Sequence, residues 1–458
     1  MSFRWLFLSL VVAALPASVR AAAPAEHVVV LCVDGLPAYL LDDPKAPLTN
    51  IRRLAREGAI ATAGMRVVNP SVTWPNHTTL ITGVRPEKHL VLANGILTRH
   101  GTNALVTIVP RHDQADLIHV PTLFEVAHAG GLSTAAIDWP CTRNSSSIDD
   151  NFPDVPETLE FTTPRLLEEL RSGGWLPEGK LDFIKDFSSP QRDEIWTEAT
   201  RIVLGKRKPN LLVLHLLNVD GTHHSLGPQT PSGYTAVALA DLFVGRVLEA
   251  IDAAGIRPTT TVFIVSDHGF TLTPKALLPN AILRREGLLR TGRGGKPEEA
   301  RVQVVPEGGL GLLYFNDPSL SSAERERVVA LFAASEGIAE VLAPEQFAAH
   351  GLPHPRTDEH MADLVLVAKD GYGFSASAEG DAFVAPSTAA GVAVGNHGFL
   401  ADQAKMNATF VVAGAGIQPG VRLGRIDNIA VAPTVAALLG ISLPSADGQP
   451  LREVLSAP

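Results

Sequence analysis

Short, uninterrupted runs of aliphatic and β-branched residues alternate along this chain with segments of helical period, and that alternation constrains the fold more than any other feature. A strand covered on both faces reads as a continuous apolar run, and residues 27–33 are such a run. Leu48, Ile51, Leu54 and Ala55 then fall on one face of a helix that Gly58 can end. Thr122 with Glu125 makes a capping-box start, the helix runs to Gly130-Gly131, and residues 133–137 follow as a strand. Residues 211–217 are a third buried strand, 234–254 a long helix stopped by Gly255, and 260–265 a fourth strand. Residues 363–368 and 408–413 read as two more strands, and 428–439 as a helix closed by Gly440. The order implies an α/β fold, a three-layer αβα sandwich whose central sheet is largely parallel. Between about 271 and 362 the pattern loosens into Gly-rich and basic stretches, which predicts an inserted or cap subdomain within a single domain over residues 24–458.

The first residues follow another pattern. Arg4 precedes an apolar run over residues 5–15, and small residues end in Ala21-Ala22-Ala23, so residues 1–23 read as a secretory signal peptide. That run is shorter than the roughly 20 residues a spanning helix needs, and no later stretch is long enough, so the mature chain is expected soluble and exported, periplasmic or secreted. With 38 Lys plus Arg against 48 Asp plus Glu, the formal charge of −10 argues against a surface built to hold nucleic-acid backbone or anionic lipid. Two cysteines, Cys32 and Cys141, are too few for a disulfide-built fold. Paired and reduced states both stay open; Cys32, inside an apolar run, reads as a small buried hydrophobe.

In open α/β sheets ligands bind beyond the carboxyl ends of strands, so polar residues just after buried runs are the first candidates. Three runs end alike, in Asp34-Gly35, in Asn218-Val219-Asp220, and in Asp267-His268-Gly269. His224 follows Asp220 by four residues, His223 competes for the same role, and His397 lies in Gly395-Asn396-His397-Gly398. Mixed Asp and His donors suit zinc, and Asp34, Asp220, His224, Asp267, His268 and His397 suffice for two ions. Other histidines, such as His89, His112, His128 and His354, lack this context and are expected on the surface or in loops. The segment Asn69-Pro70-Ser71-Val72-Thr73-Trp74-Pro75-Asn76-His77-Thr78 supplies hydroxyls in a Pro-bounded turn with a helix following. A hydroxyl at such a helix start lies where an anion is favoured, and a nearby metal ion can deprotonate it for attack.

Together these residues resemble the alkaline phosphatase superfamily, most closely its nucleotide pyrophosphatase/phosphodiesterase branch, over residues 27–455. The specific parts are V-D-G at 33–35, P-S-V-T-W-P-N-H at 70–77, V-D-G-T-H-H-S-L-G-P at 219–228, S-D-H-G-F at 266–270 and N-H-G-F at 396–399. The resemblance implies an alkaline-phosphatase-like fold and two Zn²⁺ ions, one held by Asp220, His224 and His397, the other by Asp34, Asp267 and His268. It implies Thr73 as ligand and nucleophile, and Asn94 as a donor to a phosphoryl oxygen. It prefers His224 to His223, since the family's histidine stands four residues after the aspartate. Two in-line displacements through a phosphothreonine follow, with the Asp220/His224/His397 ion stabilising the leaving oxygen and then activating water. Trp74 resembles the aromatic position on which nucleotide-hydrolysing members stack a base. Where those members carry a second stacking Tyr this chain continues Val155-Pro156, and their H-G-Y-D-N is His397-Gly398-Phe399-Leu400-Ala401 here.

The expected substrate is therefore a phosphodiester or nucleotide small molecule. A phosphomonoesterase or phosphonate hydrolase would use the same metals and Thr73, and a non-catalytic metal-binding protein would need no nucleophile at all. A sulfatase is excluded because Cys141-Thr142-Arg143 does not provide its C-x-P-x-R signature.

Overall fold

The computed structural model describes residues 24–390 and 393–456; the leader expected over residues 1–23 lies outside them. An eight-stranded sheet runs in the order Val421–Leu423, Ala59–Ala61, Phe410–Gly414, Thr260–Val265, His27–Val33, Leu211–Leu216, Thr134–Pro140, Asp150–Asp154. Neighbours are parallel except around Phe410–Gly414, which is antiparallel to both its partners. Along the central strand Val28, Val30 and Cys32 enter one apolar cluster while Val29, Leu31 and Val33 enter the other. Both faces of the sheet are thus covered, which is why the run is apolar throughout. Helices Thr49–Glu57, Ser189–Lys206 and Pro231–Ala253 pack on one face, and Thr73–Thr82, Leu123–Ala129 and Val431–Leu438 on the other.

Register places the site. Cys32 pairs with His215 on one side and with Val265 on the other, so three central strands end at one level. The turns carrying Asp34, Asp220 and Asp267 therefore emerge side by side.

A second, antiparallel sheet joins Val302–Glu307, Leu310–Phe315, Leu364–Ala368 and Ile338–Leu342. The strand expected at 363–368 forms, but in this sheet and not in the central one. Its Glu307-to-Leu310 turn presses on the His397 loop: Gly309 N–H donates to the His397 carbonyl at 2.9 Å. A Cβ on Gly308, where φ is +67°, would lie 2.1 Å from that oxygen, so the approach requires glycine.

Two expectations are corrected. His89 is fully buried, because both ring nitrogens have internal partners. Helix Ser189–Lys206 and edge strand Asp150–Asp154 form where no regular element is expected. Cys32 and Cys141 are both free and buried.

Candidate active site

Asp34 and Asp267 follow adjacent parallel strands and His268 follows Asp267; all are 0 % exposed. The Gly35 N–H donates to Asp267 Oδ1 at 3.1 Å, stitching one strand end to the next. His268 turns Nδ1 to the Gly269 carbonyl, leaving Nε2 3.3 Å from Asp34 Oδ1 and 3.2 Å from Asp267 Oδ2. Asp34 Oδ1, Asp267 Oδ2 and His268 Nε2 are buried with no hydrogen-bond partner.

The second group stands at the rim. Helix Asn218–Leu226 puts Asp220 and His224 one turn apart on the same face, 3.4 Å between Oδ1 and Nε2. Its start is fixed from below by Asp193 of helix Ser189–Lys206, whose carboxylate accepts from Leu217 N–H at 2.9 Å and Asn218 N–H at 3.1 Å. His224 and His397 turn their Nδ1 atoms to the carbonyls of Gly395 and Ser71, and their Nε2 atoms face each other at 3.1 Å. Ligand atoms of Asp220, His224 and His397 lie within 4.8 Å of one another, as do those of Asp34, Asp220 and His268, so Asp220 stands between the groups. His223 belongs to neither; its Nδ1 is directed to the Gly35 carbonyl and its ring packs on Phe270. The rings of His268 and His397 stack at 3.7 Å, joining inner group to rim.

Nine-tenths-buried polar atoms normally have partners, and orphans need an explanation. Here they converge, and their electrostatics agree. Burial, then the charges of Asp267 and Asp220, push the Asp34 carboxyl well up, against the pull of His215. Burial, then His268 and His224, push His397 well below the usual imidazole range, so it offers a neutral lone pair. Crowded carboxylates and neutral imidazoles are relieved together by a cation, and Asp/His donors suit zinc. The residues present fit a bound cation, in two candidate groups that share Asp220.

Thr73 begins helix Thr73–Thr82 and is 8 % exposed. Asn76 sets the turn before it, donating to the Pro70 and Val72 carbonyls and accepting from Val68 N–H and Asn428. Ser71 ties this turn to the His397 loop, its hydroxyl donating to the Phe399 carbonyl and its carbonyl accepting from Gly398 N–H. His77 Nδ1 lies 2.9 Å from the Thr73 carbonyl and 3.6 Å from Asp267 Oδ2. The turn of the nucleophile candidate is thus bonded to the rim through Ser71, and His77 on its helix stands next to the inner group. Asn94 is exposed, and its Oδ1 accepts from the Trp74 N–H at 2.9 Å, which fixes the side of the amide that carries its NH₂. Trp74 is 4 % exposed, and its indole N–H donates to half-buried Asp154 at 3.0 Å. Its ring packs in the apolar cluster on that face of the sheet, and its backbone N–H holds Asn94.

Sequence reasoning did not reach His215, Asp138, His77 or Asp193. The available signal was a histidine in the otherwise apolar strand Leu211–Leu216, since a buried polar side chain demands partners.

The fold and the clustered ligand-type side chains define a three-layer α/β protein with candidate metal-binding groups at the carboxyl edge of its sheet. A profile of the family described as type I phosphodiesterase / nucleotide pyrophosphatase matches residues 28–400, and the chain belongs to that family. It is similar to ectonucleotide pyrophosphatase/phosphodiesterase family member 3 of Mus musculus, 23% identical over 247 residues, 54% of this chain and 25% of that protein. It is also similar to venom phosphodiesterase 2 of Crotalus adamanteus, 24% identical over 245 residues, 53% of this chain and 26% of that protein. The chain thus spans about a quarter of the length of these curated relatives. Among solved structures, human ectonucleotide pyrophosphatase / phosphodiesterase 5 superposes with a TM-score of 0.69 at 16% identity, covering 94% of this chain and 100% of that one. The murine counterpart, as an inactive threonine-to-alanine variant in complex with AMP, superposes at 0.67 with 17% identity and the same coverage.

Proposed function

We propose that the chain is an exported, zinc-dependent hydrolase of phosphoric esters, a phosphodiesterase / nucleotide pyrophosphatase working through Thr73. The observation that carries this reading is the convergence of partnerless ligand atoms on Asp34, Asp220, Asp267 and His268 beside the helix that Thr73 begins. Family membership, the names of the relatives and the AMP complex of the murine neighbour support it. Asp220, His224 and His397 would hold one zinc ion and Asp34, Asp267 and His268 the other, supplying positive charge that acidifies a hydroxyl and offsets charge on phosphoryl oxygens.

The chain's own groups do the rest. Thr73 Oγ1, losing its proton, bonds to phosphorus as the bond to the leaving alcohol or phosphate breaks, and the leaving group takes up a proton. Water then attacks the phosphothreonine diester, giving a phosphomonoester and restoring the hydroxyl. Asn94, its oxygen held by Trp74 N–H, donates through Nδ2 to a phosphoryl oxygen. In this reading residues 24–458 are one catalytic domain, and the 271–362 insertion braces the His397 loop. Export rests on the leader pattern and on relatives named as ectonucleotide and venom enzymes; no helix among the described residues is long and apolar enough to cross a membrane.

The test compares kcat/KM on zinc-loaded protein for a nucleotide nitrophenyl diester and for the matching monoester. A ratio far above one is expected. A ratio below one would move the protein to the phosphomonoesterases, with the same metals and the same Thr73.

A further inference from the structure

His215 is buried in the middle of the central sheet, where a polar ring is costly unless its nitrogens are satisfied. Its Nε2 lies 2.9 Å from Asp34 Oδ2. Its Nδ1 lies 3.0 Å from the Asp138 carbonyl and 3.1 Å from Asp138 Oδ2. Asp138 reaches that nitrogen twice because it sits where the strand register shifts, between Ile137 and Trp139, with φ at +53°. A non-glycine residue in that region signals a local demand that outweighs the backbone preference. The His77 ring stands edge-on to His215 at 4.4 Å and to Trp139 at 4.7 Å, so the imidazole is walled in.

We propose that His215, anchored by Asp138, is a positioning residue for cation binding: it holds Asp34 Oδ2 inward and so reserves Oδ1 for the ion. This rests on the metal-dependent reading above. Asp34 Oδ1 is the oxygen left partnerless, 3.3 Å from the equally partnerless His268 Nε2. Without the His215 contact the carboxylate is free to turn, and the inner ligand group loses its preset geometry. Partners that orient a metal ligand in this way are worth about 10- to 100-fold in affinity.

The test uses two amides of opposite reach on the full chain, with zinc affinity measured by competition against a chromogenic chelator and folding checked by circular dichroism. His215→Gln can carry a donor to Asp34, whereas His215→Asn can face Asp138 but falls short of Asp34. Expected are two zinc equivalents in the wild type, a 10- to 100-fold loss at one of them in His215→Asn, and recovery to within a few fold in His215→Gln. Folded Asn and Gln variants that both bind like the wild type would overturn the proposal while leaving the metal reading intact. A wild type that binds no zinc would overturn both. Should neither variant fold, Asp138→Asn, which keeps the carbonyl acceptor, is expected to weaken the same equivalent a few fold; unchanged affinity there would contradict the anchoring role.

Discussion

The inner and rim candidate ligand groups are built from the same residue types but are held in different ways. Asp34, Asp267 and His268 are 0 % exposed; Asp34 is held by His215 of the neighbouring strand, Asp267 by the Gly35 N–H, and His268 by the adjoining Gly269 carbonyl. Asp220, His224 and His397 keep side-chain exposures of 13, 29 and 10 %, and the two histidines are fixed by carbonyls of two loops. The inner group is preorganised by the core, so disturbing it disturbs the fold. The rim group is assembled by tight loops, and its glycines carry the burden: a Cβ on Gly395 would lie 2.4 Å from the His223 carbonyl. A substrate that meets both groups meets one rigid partner and one exposed to solvent.

The comparison breaks most sharply at Thr73, whose turn is bonded to the rim loop and whose helix carries His77 next to the inner group. Thr73→Ala should lower turnover on the order of 10⁴-fold or more while both zinc equivalents stay bound; turnover retained in the metal-loaded variant, measured against bound zinc, would remove Thr73 from the chemistry. Asn94→Ala should cost about 10²-fold in kcat with zinc content unchanged, as expected for one donor to a developing oxyanion.

At the far end of the Thr73 helix, His89 Nδ1 accepts from Val91 N–H and Nε2 meets Thr79 Oγ1. Burial pushes this histidine from its ordinary 6.5 down to about 3. The unfolded chain then binds a proton that the folded chain refuses, so stability is full above pH 6.5 and falls as pH drops towards 3. The loss from this group at pH 5 is about 2 kcal/mol. Urea unfolding at pH 7 and pH 5 should show it, and His89→Gln should flatten the difference; an equal pH slope in the variant would contradict the assignment.

Zinc release into excess chelator should be biphasic, the exposed rim equivalent leaving at least about tenfold faster than the inner one. A single phase in stopped-flow release would erase the distinction between the groups. Smallest of all, Trp74→Phe keeps the ring and loses the indole bond to Asp154, so it should cost about 1 kcal/mol of stability, read from thermal melts, with little effect on KM for a nucleotide substrate.

Most residues of the candidate ligand groups can be singled out in the sequence because they stand just past an apolar run or beside glycine, whereas His224 is marked by its spacing of four from Asp220. Sheet order is less legible. The antiparallel sense of Phe410–Gly414 leaves no trace in an apolar run, and Asp150–Asp154, an edge strand containing Pro153, lacks the composition of a buried one. His215 and Asp138 were missed because their partners come from strand register across the sheet, and nothing local marks it. The covering of Trp74 is equally unmarked, since its indole partner Asp154 lies eighty residues away in the chain.

Anomalous diffraction at the zinc edge from crystals of the zinc-loaded protein tests the two-group account most directly. It predicts two peaks, one about 2 Å from donor atoms of Asp34, Asp267 and His268, the other at that distance from Asp220, His224 and His397. A single peak, or none at these residues, would contradict it.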